Sequence, residues 1–252
     1  MLKSGEIDHD PFATVDKVSK EPADRVKLSI EQINQIKALQ LGKGSALWHI
    51  RNYFLFSFYN AGIRFSDMCR LTWGNLVDGR LMYKMQKTGG KKSIKQQEPM
   101  YRILFQYVDR PGSYLMFAQW EPQEAYYVRQ ADNPVEIFEA TVREYASSHK
   151  NDLIFPLLDK HYDDPAEIRK KIGSKNARVN LKLKDLAKEA GIDASVSFHV
   201  SRHSFANHAN KKDLDLYQIS KALAHSDLKT TQQYLDDFDE EKLDEGMEGL
   251  YE

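Results

Sequence analysis

The sequence predicts a mixed fold that is mainly α-helical and contains one small antiparallel β-sheet. Most of the chain after residue 28 carries apolar side chains at helical spacing, and one pair of short segments around a glycine turn alternates as strands do. Of the 252 residues, 41% are hydrophobic and 29% are charged, which is typical of a globular protein with a buried core. No segment approaches the roughly eighteen apolar residues of a membrane helix, so we expect no membrane partner.

The cysteine content indicates the kind of cellular compartment in which the protein works. Cys69 is the single cysteine of the sequence, so the chain cannot form an internal disulfide or a cysteine-rich zinc site. Such usage is typical of proteins that work in a reducing compartment. The first residues also lack the apolar stretch of a secretory signal peptide. We therefore expect a cytoplasmic protein.

Local signals predict the elements in chain order. Residues 1–27 are polar and aperiodic, which predicts a linker or tail. Ser29 and Gln32 form the pattern of a capping box, which predicts that the first helix begins there. Further helices are predicted over 46–60, 64–71, 121–131, 135–148, 164–190 with Gly173 as a candidate break, 199–210, 214–223, 227–235 and 239–250. Strands are predicted over 81–86 and 93–97 around a turn at 88–91, and residues 151–158 are predicted to be extended.

Charge is unevenly distributed along the chain. The formal net charge is −1, yet residues 236–252 hold nine acids and one base, while residues 28–235 hold 30 bases and 22 acids. An acidic tail of −8 therefore follows a body of +8. The bases cluster on the predicted hairpin and in the 164–190 helix, where they fit either a solvated face or contacts to phosphates.

Two segments contain an arginine whose charge needs a negative partner, which is either an acidic side chain of the protein or, for Arg64, a ligand phosphate. The segment AGIRFSDMCRLTW puts Arg64 just after a glycine break and at the start of a helix, where its charge opposes the helix dipole. The segment FHVSRHSFANHA puts His199 and Arg202 three residues apart, on one helix face. His199 and His203 are also four apart, but Val200 replaces the glutamate of a zinc-binding H-E-x-x-H helix. We therefore predict no metal site.

Two further segments contain candidate functional residues. Lys87 closes the first predicted strand, just before the turn Thr88-Gly89-Gly90. The segment LAHSDLKTTQQY puts His225 nine residues before Tyr234. Each of these signals is weak alone, because lysines at hairpin tips and tyrosines near chain ends are mostly structural.

Taken in this order, the segments resemble the tyrosine recombinases, also called the phage integrase family. AGIRFSDMCRLTW resembles the first arginine box, FHVSRHSFANHA the His-x-x-Arg box, and LAHSDLKTTQQY the histidine-to-tyrosine box of that family. The resemblance covers roughly residues 28–236 and implies the catalytic-domain fold of integrases. Ala224 stands where the family usually has glycine. Because family members usually carry a DNA-clamping domain before this one, we expect a catalytic fragment or an unusually short member.

The resemblance also implies the site. Tyr234 would be the nucleophile, with His199 accepting its proton and Lys87 protonating the leaving 5′-oxygen. The remaining catalytic positions are Arg64, Arg202 and His225. Asp67 would orient an arginine and support the fold, and no cofactor is implied.

The implied function is that of a site-specific DNA recombinase or integrase that cuts and rejoins DNA through a 3′-phosphotyrosyl intermediate. The expected partner is double-stranded DNA with a specific recombination site. Residues 237–252 are expected to join protomers into a homo-oligomer on it, or instead to cover the basic DNA-facing surface of their own chain. The bases assigned to DNA contact are Lys84, Lys91, Lys92, Lys175, Arg178 and Lys182. Three alternatives stay open: relaxation of DNA in the manner of a type IB topoisomerase, a non-catalytic DNA-binding relic, and a helical interaction protein without a nucleic-acid role.

Overall fold

The computed structural model describes residues 26–108, 134–225 and 228–232. Its elements are α1 (Ile30–Ala38), α2 (Ala46–Tyr59), α3 (Phe65–Met68), a 3₁₀ turn (Trp73–Asn75), β1 (Leu76–Val77), β2 (Arg80–Lys84), β3 (Lys91–Lys95), α4 (Glu98–Phe105), α5 (Pro134–Ser148), α6 (Pro165–Glu189), α7 (Val200–Lys211), α8 (Leu216–Leu223) and α9 (Leu228–Gln232). The predicted architecture, mainly helical with one small antiparallel sheet, is confirmed.

Helix α2 lies at the centre of the fold. Its sequence is apolar on every side, and residues from Trp48 to Phe58 are largely buried, as expected for a helix surrounded by other elements. It packs against α1, α4, α6 and α7. The first helix begins as predicted, because the Ser29 hydroxyl accepts the N–H of Gln32 and the Gln32 side chain accepts the N–H of Ser29.

The sheet consists of a hairpin, formed by β2 and β3, and one short additional strand. Strands β2 and β3 pair from Arg80 with Lys95 to Lys84 with Lys91, and the two-residue strand β1 adds to the outer edge of β2. Strand β2 ends two residues earlier than predicted, because Met85 already belongs to the loop, where its N–H donates to the Gly90 carbonyl at 2.9 Å; strand β3 begins and ends two residues earlier than predicted. Strand β1 is too short to show an alternating pattern, so the sequence did not indicate it.

Other elements also differ from their predictions. Helix α4 was not predicted, although Pro99 sits in its first turn, where a missing N–H costs nothing. Helix α6 runs without a break through Gly173, and residues 151–158 form no strand beyond one isolated bridge between Thr72 and Leu153. The helices predicted over 121–131 and 239–250 lie outside the described residues. Within the described ranges, no helix combines the length and the apolar character needed to cross a bilayer.

Candidate active site

The start of α7 is fixed against the central helix by buried hydroxyl groups. Ser201 Oγ lies 2.7 Å from Ser57 Oγ of α2 and donates to the Phe198 carbonyl at 2.7 Å. Both serines are fully buried, so the polar contact is protected from water. The side chain of the adjacent residue, Arg202, therefore extends from α7 in a defined direction.

Arg202 joins three segments of the chain. The side chain is 4% exposed, and its guanidinium donates to the Gly62 carbonyl at 2.8 Å and to the Leu223 carbonyl at 2.5 Å. The nitrogen that bonds Leu223 also lies 2.9 Å from His225 Nε2. A guanidinium offers five N–H donors in a rigid fork, so one side chain can bind these acceptors and still present donors to a ligand.

Gly62 lies in van der Waals contact with the backbone and side chain of Arg202. Its φ is +63°, and a Cβ added there would lie 2.6 Å from the Cα, Cβ and Cγ atoms of Arg202. Real Cβ atoms essentially never approach other atoms that closely. The glycine break that the sequence analysis noted therefore also permits the contact between the loop before α3 and the catalytic arginine candidate.

Arg64 and Asp67 border the same region from α3. Arg64 is the residue before α3, half-buried, with Nη1 3.5 Å from the Met85 sulfur. Asp67 is 3% exposed, and its Oδ1 accepts the N–H of Gln86 at 2.8 Å. Burial raises the pKa of Asp67, while Arg64 is among the cations that oppose the rise. Among the described contacts, the direct hydrogen bond of Asp67 goes to the hairpin, and its predicted role of orienting an arginine stays a prediction.

His225 is held in one tautomer. A guanidinium can only donate, so His225 Nε2 accepts from Arg202 and the ring proton resides on Nδ1. Nδ1 lies 2.9 Å from Oγ1 of Thr231, a buried residue of α9. Burial, followed by the charges of Arg202, Arg64 and Lys92, lowers the pKa of His225 to about 4. The imidazole is therefore neutral at pH 7 and connects Arg202 to α9.

The turn that carries His225 contains a strained residue. Helix α8 ends at Ala224, which adopts the left-handed conformation (φ 50°, ψ 54°), and the His225 N–H closes the turn on the Ser220 carbonyl at 3.0 Å. Glycine is the usual residue at this position of a helix terminus, because an L side chain there costs about 1–2 kcal/mol.

Replacing Ala224 with glycine is expected to stabilise the protein by about 1 kcal/mol, because the strain is removed while the turn keeps its hydrogen bonds. The free energy of unfolding is measured by chemical denaturation. The matched control is Ala222→Gly inside α8, which is expected to destabilise by about 1 kcal/mol. A loss of stability in Ala224→Gly, equal to that of the control, would contradict the assignment of strain.

Two clefts lie beside the bonded pair of Arg202 and His225, and each of these residues lines one of them. One of about 470 Å³ is lined by Arg64, Lys87, His199 and Arg202, among other residues. His199 is exposed and immediately precedes α7. The neighbouring cleft of about 780 Å³ is lined by His225 and by the hairpin. The structure thus brings together five of the six predicted catalytic residues, and Tyr234 lies outside the described residues.

The predicted DNA-contacting bases divide by exposure. Lys175 is half-buried, and four others are exposed: Lys84, Lys91, Arg178 and Lys182. Lys92 differs, because it is 9% exposed and its ammonium donates to the carbonyls of Lys221 and Ala222. Its side chain is therefore directed into the protein, whereas the prediction placed it on the DNA-facing surface.

Three residues were missed by the sequence analysis. Arg169 of α6 lines the cleft beside Arg64, Thr231 bonds His225, and the role of Gly62 at Arg202 was not foreseen. Arg169 was noted only as one of many bases in α6, and a threonine six residues after the histidine gives no signal by itself.

Comparison of sequences identifies relatives. A family model described as the phage integrase family matches residues 28–241. Tyrosine recombinase XerC of Xylella fastidiosa is 27% identical over 178 residues, which are 70% of this chain and 45% of the relative. Tyrosine recombinase XerD of Agrobacterium fabrum is 51% identical over 53 residues, which are 21% of this chain and 16% of the relative. The chain thus spans a little under half the length of the XerC relative.

Comparison of structures identifies the fold. The XerA recombinase crystal structure aligns with a TM-score of 0.53 and 19% identity, covering 92% of this chain and 67% of that chain. A lambda integrase, solved as a dimer bound to a COC′ core site, aligns with a TM-score of 0.54 and 16% identity, covering 94% of this chain and 68% of that chain. At these identities the likeness establishes a shared fold, as predicted.

Proposed function

Because the chain belongs to the phage integrase family, we propose that residues 28–236 act as a tyrosine recombinase catalytic domain that cuts and rejoins DNA through a 3′-phosphotyrosyl intermediate. Residues 1–27 and 237–252 would flank this domain as a linker and an acidic tail. One observation carries the proposal: two arginines from distant parts of the sequence, Arg64 and Arg202, line one cleft together with His199 and Lys87.

This set of cations suits phosphoryl transfer. The attack of an oxygen on a phosphodiester increases the negative charge on the nonbridging oxygens in the transition state. Arginine forks match two phosphate oxygens and never lose their proton near neutral pH. Removing one preorganised donor of this kind typically costs about 2.7–4 kcal/mol in other enzymes. We assign this stabilising role to Arg64 and Arg202.

Proton transfer is assigned to three side chains. Tyr234 has an ordinary pKa of about 10 and therefore needs a base near neutrality, which we assign to the exposed His199. Lys87, at the loop of the hairpin, would protonate the 5′-oxygen as it leaves. His225 would donate to a nonbridging oxygen, which requires that its Nε2 lose the hydrogen bond from Arg202 and gain a proton. A bound phosphate favours both changes, because its negative charge attracts the guanidinium and raises the pKa of imidazole.

The covalent step balances without an external energy source. The Tyr234 oxygen forms the new bond to phosphorus, the 5′-oxygen leaves with a proton, and the resulting phosphotyrosine keeps the energy of the original linkage. A 5′-hydroxyl from a second strand reverses the step and expels the phenol. Strands are thereby exchanged without hydrolysis.

Double-stranded DNA with a specific recombination site is the proposed partner. The lambda integrase that shares this fold was solved on a DNA core site as a dimer. In this chain the body of residues 28–235 has a surplus of eight bases. The exposed predicted bases Lys84, Lys91, Arg178 and Lys182 offer phosphate contacts. Binding through these contacts is expected to weaken steeply as salt is added.

Residues 237–252 are proposed to join protomers on DNA. Deleting them is expected to weaken cooperative assembly on a paired site by about tenfold or more, which corresponds to the loss of about 1.4 kcal/mol of protein–protein contact. Electrophoretic mobility shift and sedimentation on DNA with one or two half-sites provide the measurement. Binding to a single half-site serves as the control and is expected to persist. Unchanged assembly and unchanged cleavage would exclude this role of the tail.

A nicked suicide substrate tests the proposed function. Loss of the short 5′-hydroxyl fragment prevents religation, so a recombinase accumulates as a covalent adduct that survives denaturation. Proteolysis and mass spectrometry are expected to find the nucleotide on the peptide that contains Tyr234. A protein that binds the site but forms no adduct would be a non-catalytic DNA-binding protein, and the proposal would then be wrong.

A further inference from the structure

Lys92 is a buried cation for which the proposed reaction has no role. It lies in β3 opposite Tyr83 of β2 and is 9% exposed, while Lys91 and Lys95 on the same strand are exposed. A lysine ammonium is rarely buried unless it is well paired, because the removal of its hydration shell is costly. The contacts that offset this cost lie at the end of α8.

Three consecutive carbonyl groups at that end are bound by cations from other elements. Lys92 Nζ donates to the carbonyl oxygen of Lys221 at 3.3 Å and to that of Ala222, and Arg202 donates to that of Leu223 at 2.5 Å. The last carbonyls of a helix have no partner within the helix and carry the negative end of its dipole. A buried ammonium is therefore stabilised there in its charged form.

The same contacts locate His225 relative to the hairpin. His225 follows the strained Ala224 directly after α8, so the position of the last turn of α8 determines the position of the imidazole. Lys92 belongs to the hairpin, whose loop carries Lys87. The contacts of its ammonium thus join the element that bears Lys87 to the segment that bears His225.

We propose that Lys92 is a positioning residue, which anchors the end of α8 to the β2–β3 hairpin and thereby aligns His225 with the arginines. The catalytic part of this inference rests on the proposed recombinase function. Burial, with smaller contributions from Arg202 and Arg64, lowers the pKa of Lys92 to about 8, so the side chain still carries its charge at neutral pH. The role differs from the DNA contact that the sequence suggested.

The experiment compares Lys92→Met with Lys95→Met in the full chain. Methionine keeps the length and apolar stem of lysine but removes the ammonium, and Lys95 provides the same change at an exposed position of the same strand. Without DNA, amide hydrogen exchange over residues 221–225 is expected to become about tenfold faster in Lys92→Met and to stay unchanged in Lys95→Met, because charged hydrogen bonds to the helix end are lost only in the former.

On the suicide substrate, the single-turnover rate of adduct formation is expected to fall about 100-fold in Lys92→Met, since a displacement of about 1 Å can have that effect. The DNA affinity is expected to match that of Lys95→Met. Faster exchange without a slower reaction would limit Lys92 to local stability, and equal losses of affinity and rate would make it a DNA contact; both results overturn the proposal. Lys92→Gln, a shorter neutral donor, is expected to give intermediate values.

The two inferences fail in different ways. If the unmodified protein forms no adduct, the proposed function is wrong, yet the exchange experiment still reports whether Lys92 anchors α8. If both Lys92 variants are unfolded by circular dichroism while Lys95→Met is folded, Lys92 supports the whole domain and the proposed local role is wrong.

Discussion

Replacing Tyr234 with phenylalanine is expected to abolish the covalent DNA adduct while leaving DNA affinity within about twofold of that of the unmodified protein, because only the attacking oxygen is lost. The phenolic oxygen itself forms the bond to phosphorus, so its removal takes away the atom that would link protein to DNA. Adduct formation is measured on the nicked suicide substrate by denaturing electrophoresis, and affinity on the same DNA without the nick.

The matched control is Tyr217→Phe. Tyr217 lies in the first turn of α8 and lines neither cleft, it is 59% exposed, and it carries the same hydroxyl. This variant is expected to form the adduct at the rate of the unmodified protein. An adduct that persists in Tyr234→Phe would mean that another residue attacks the phosphate and that the resemblance of LAHSDLKTTQQY to the histidine-to-tyrosine box is misleading.

The local signals of the sequence predict the elements that depend on nearest neighbours. The capping box of Ser29 and Gln32 begins α1, and the apolar run that starts at Ala46 becomes the central helix. Helix α4 has no comparable signal, because its eight residues give barely two turns of periodicity and Pro99 suggests a break. Gly173 suggests a break too, but the buried side chains on one face of α6 keep that helix continuous.

For the candidate site too, the sequence indicates some features and leaves others out. The types and order of Arg64, His199, Arg202 and His225 are visible in the sequence, since they lie in recognisable segments. Contacts between segments are not visible there. Lys91 and Lys92 are adjacent and chemically identical, and only the pairing of β2 with β3 decides that Lys92 faces the helices.

The bond between Asp67 and the hairpin is another contact of this kind. An acidic residue three positions after Arg64 suggests a pair with arginine, but in the structure the backbone N–H of Gln86 donates to Oδ1 of Asp67. Asp67 therefore holds α3 and the hairpin together. Arg64 and Lys87, which border the same cleft, are thereby attached to connected elements.

Replacing Gly62 with alanine is expected to destabilise the protein and to slow adduct formation by about 100-fold. The left-handed backbone costs a residue with a side chain about 1–3 kcal/mol, and overpacking against Arg202 adds a similar amount. Relief of the 2.6 Å contacts requires the loop to separate from α7. That movement lengthens the bond from Arg202 to the Gly62 carbonyl and turns the guanidinium away from its cleft.

The Gly191→Ala variant separates the cost of the left-handed backbone from the cost of overpacking against Arg202. Gly191 has a φ of +69°, close to the value at Gly62, but a Cβ there would meet no atom within 4 Å. Gly191→Ala is therefore expected to show the backbone cost alone in chemical denaturation, with an unchanged rate of adduct formation. If both variants lose stability equally and react at the normal rate, the contact between Gly62 and Arg202 does not orient the guanidinium. A slow reaction confined to Gly62→Ala, measured where that variant is fully folded, would instead show that the loop before α3 sets the position of Arg202, because both substitutions carry the backbone cost and only Gly62→Ala crowds Arg202.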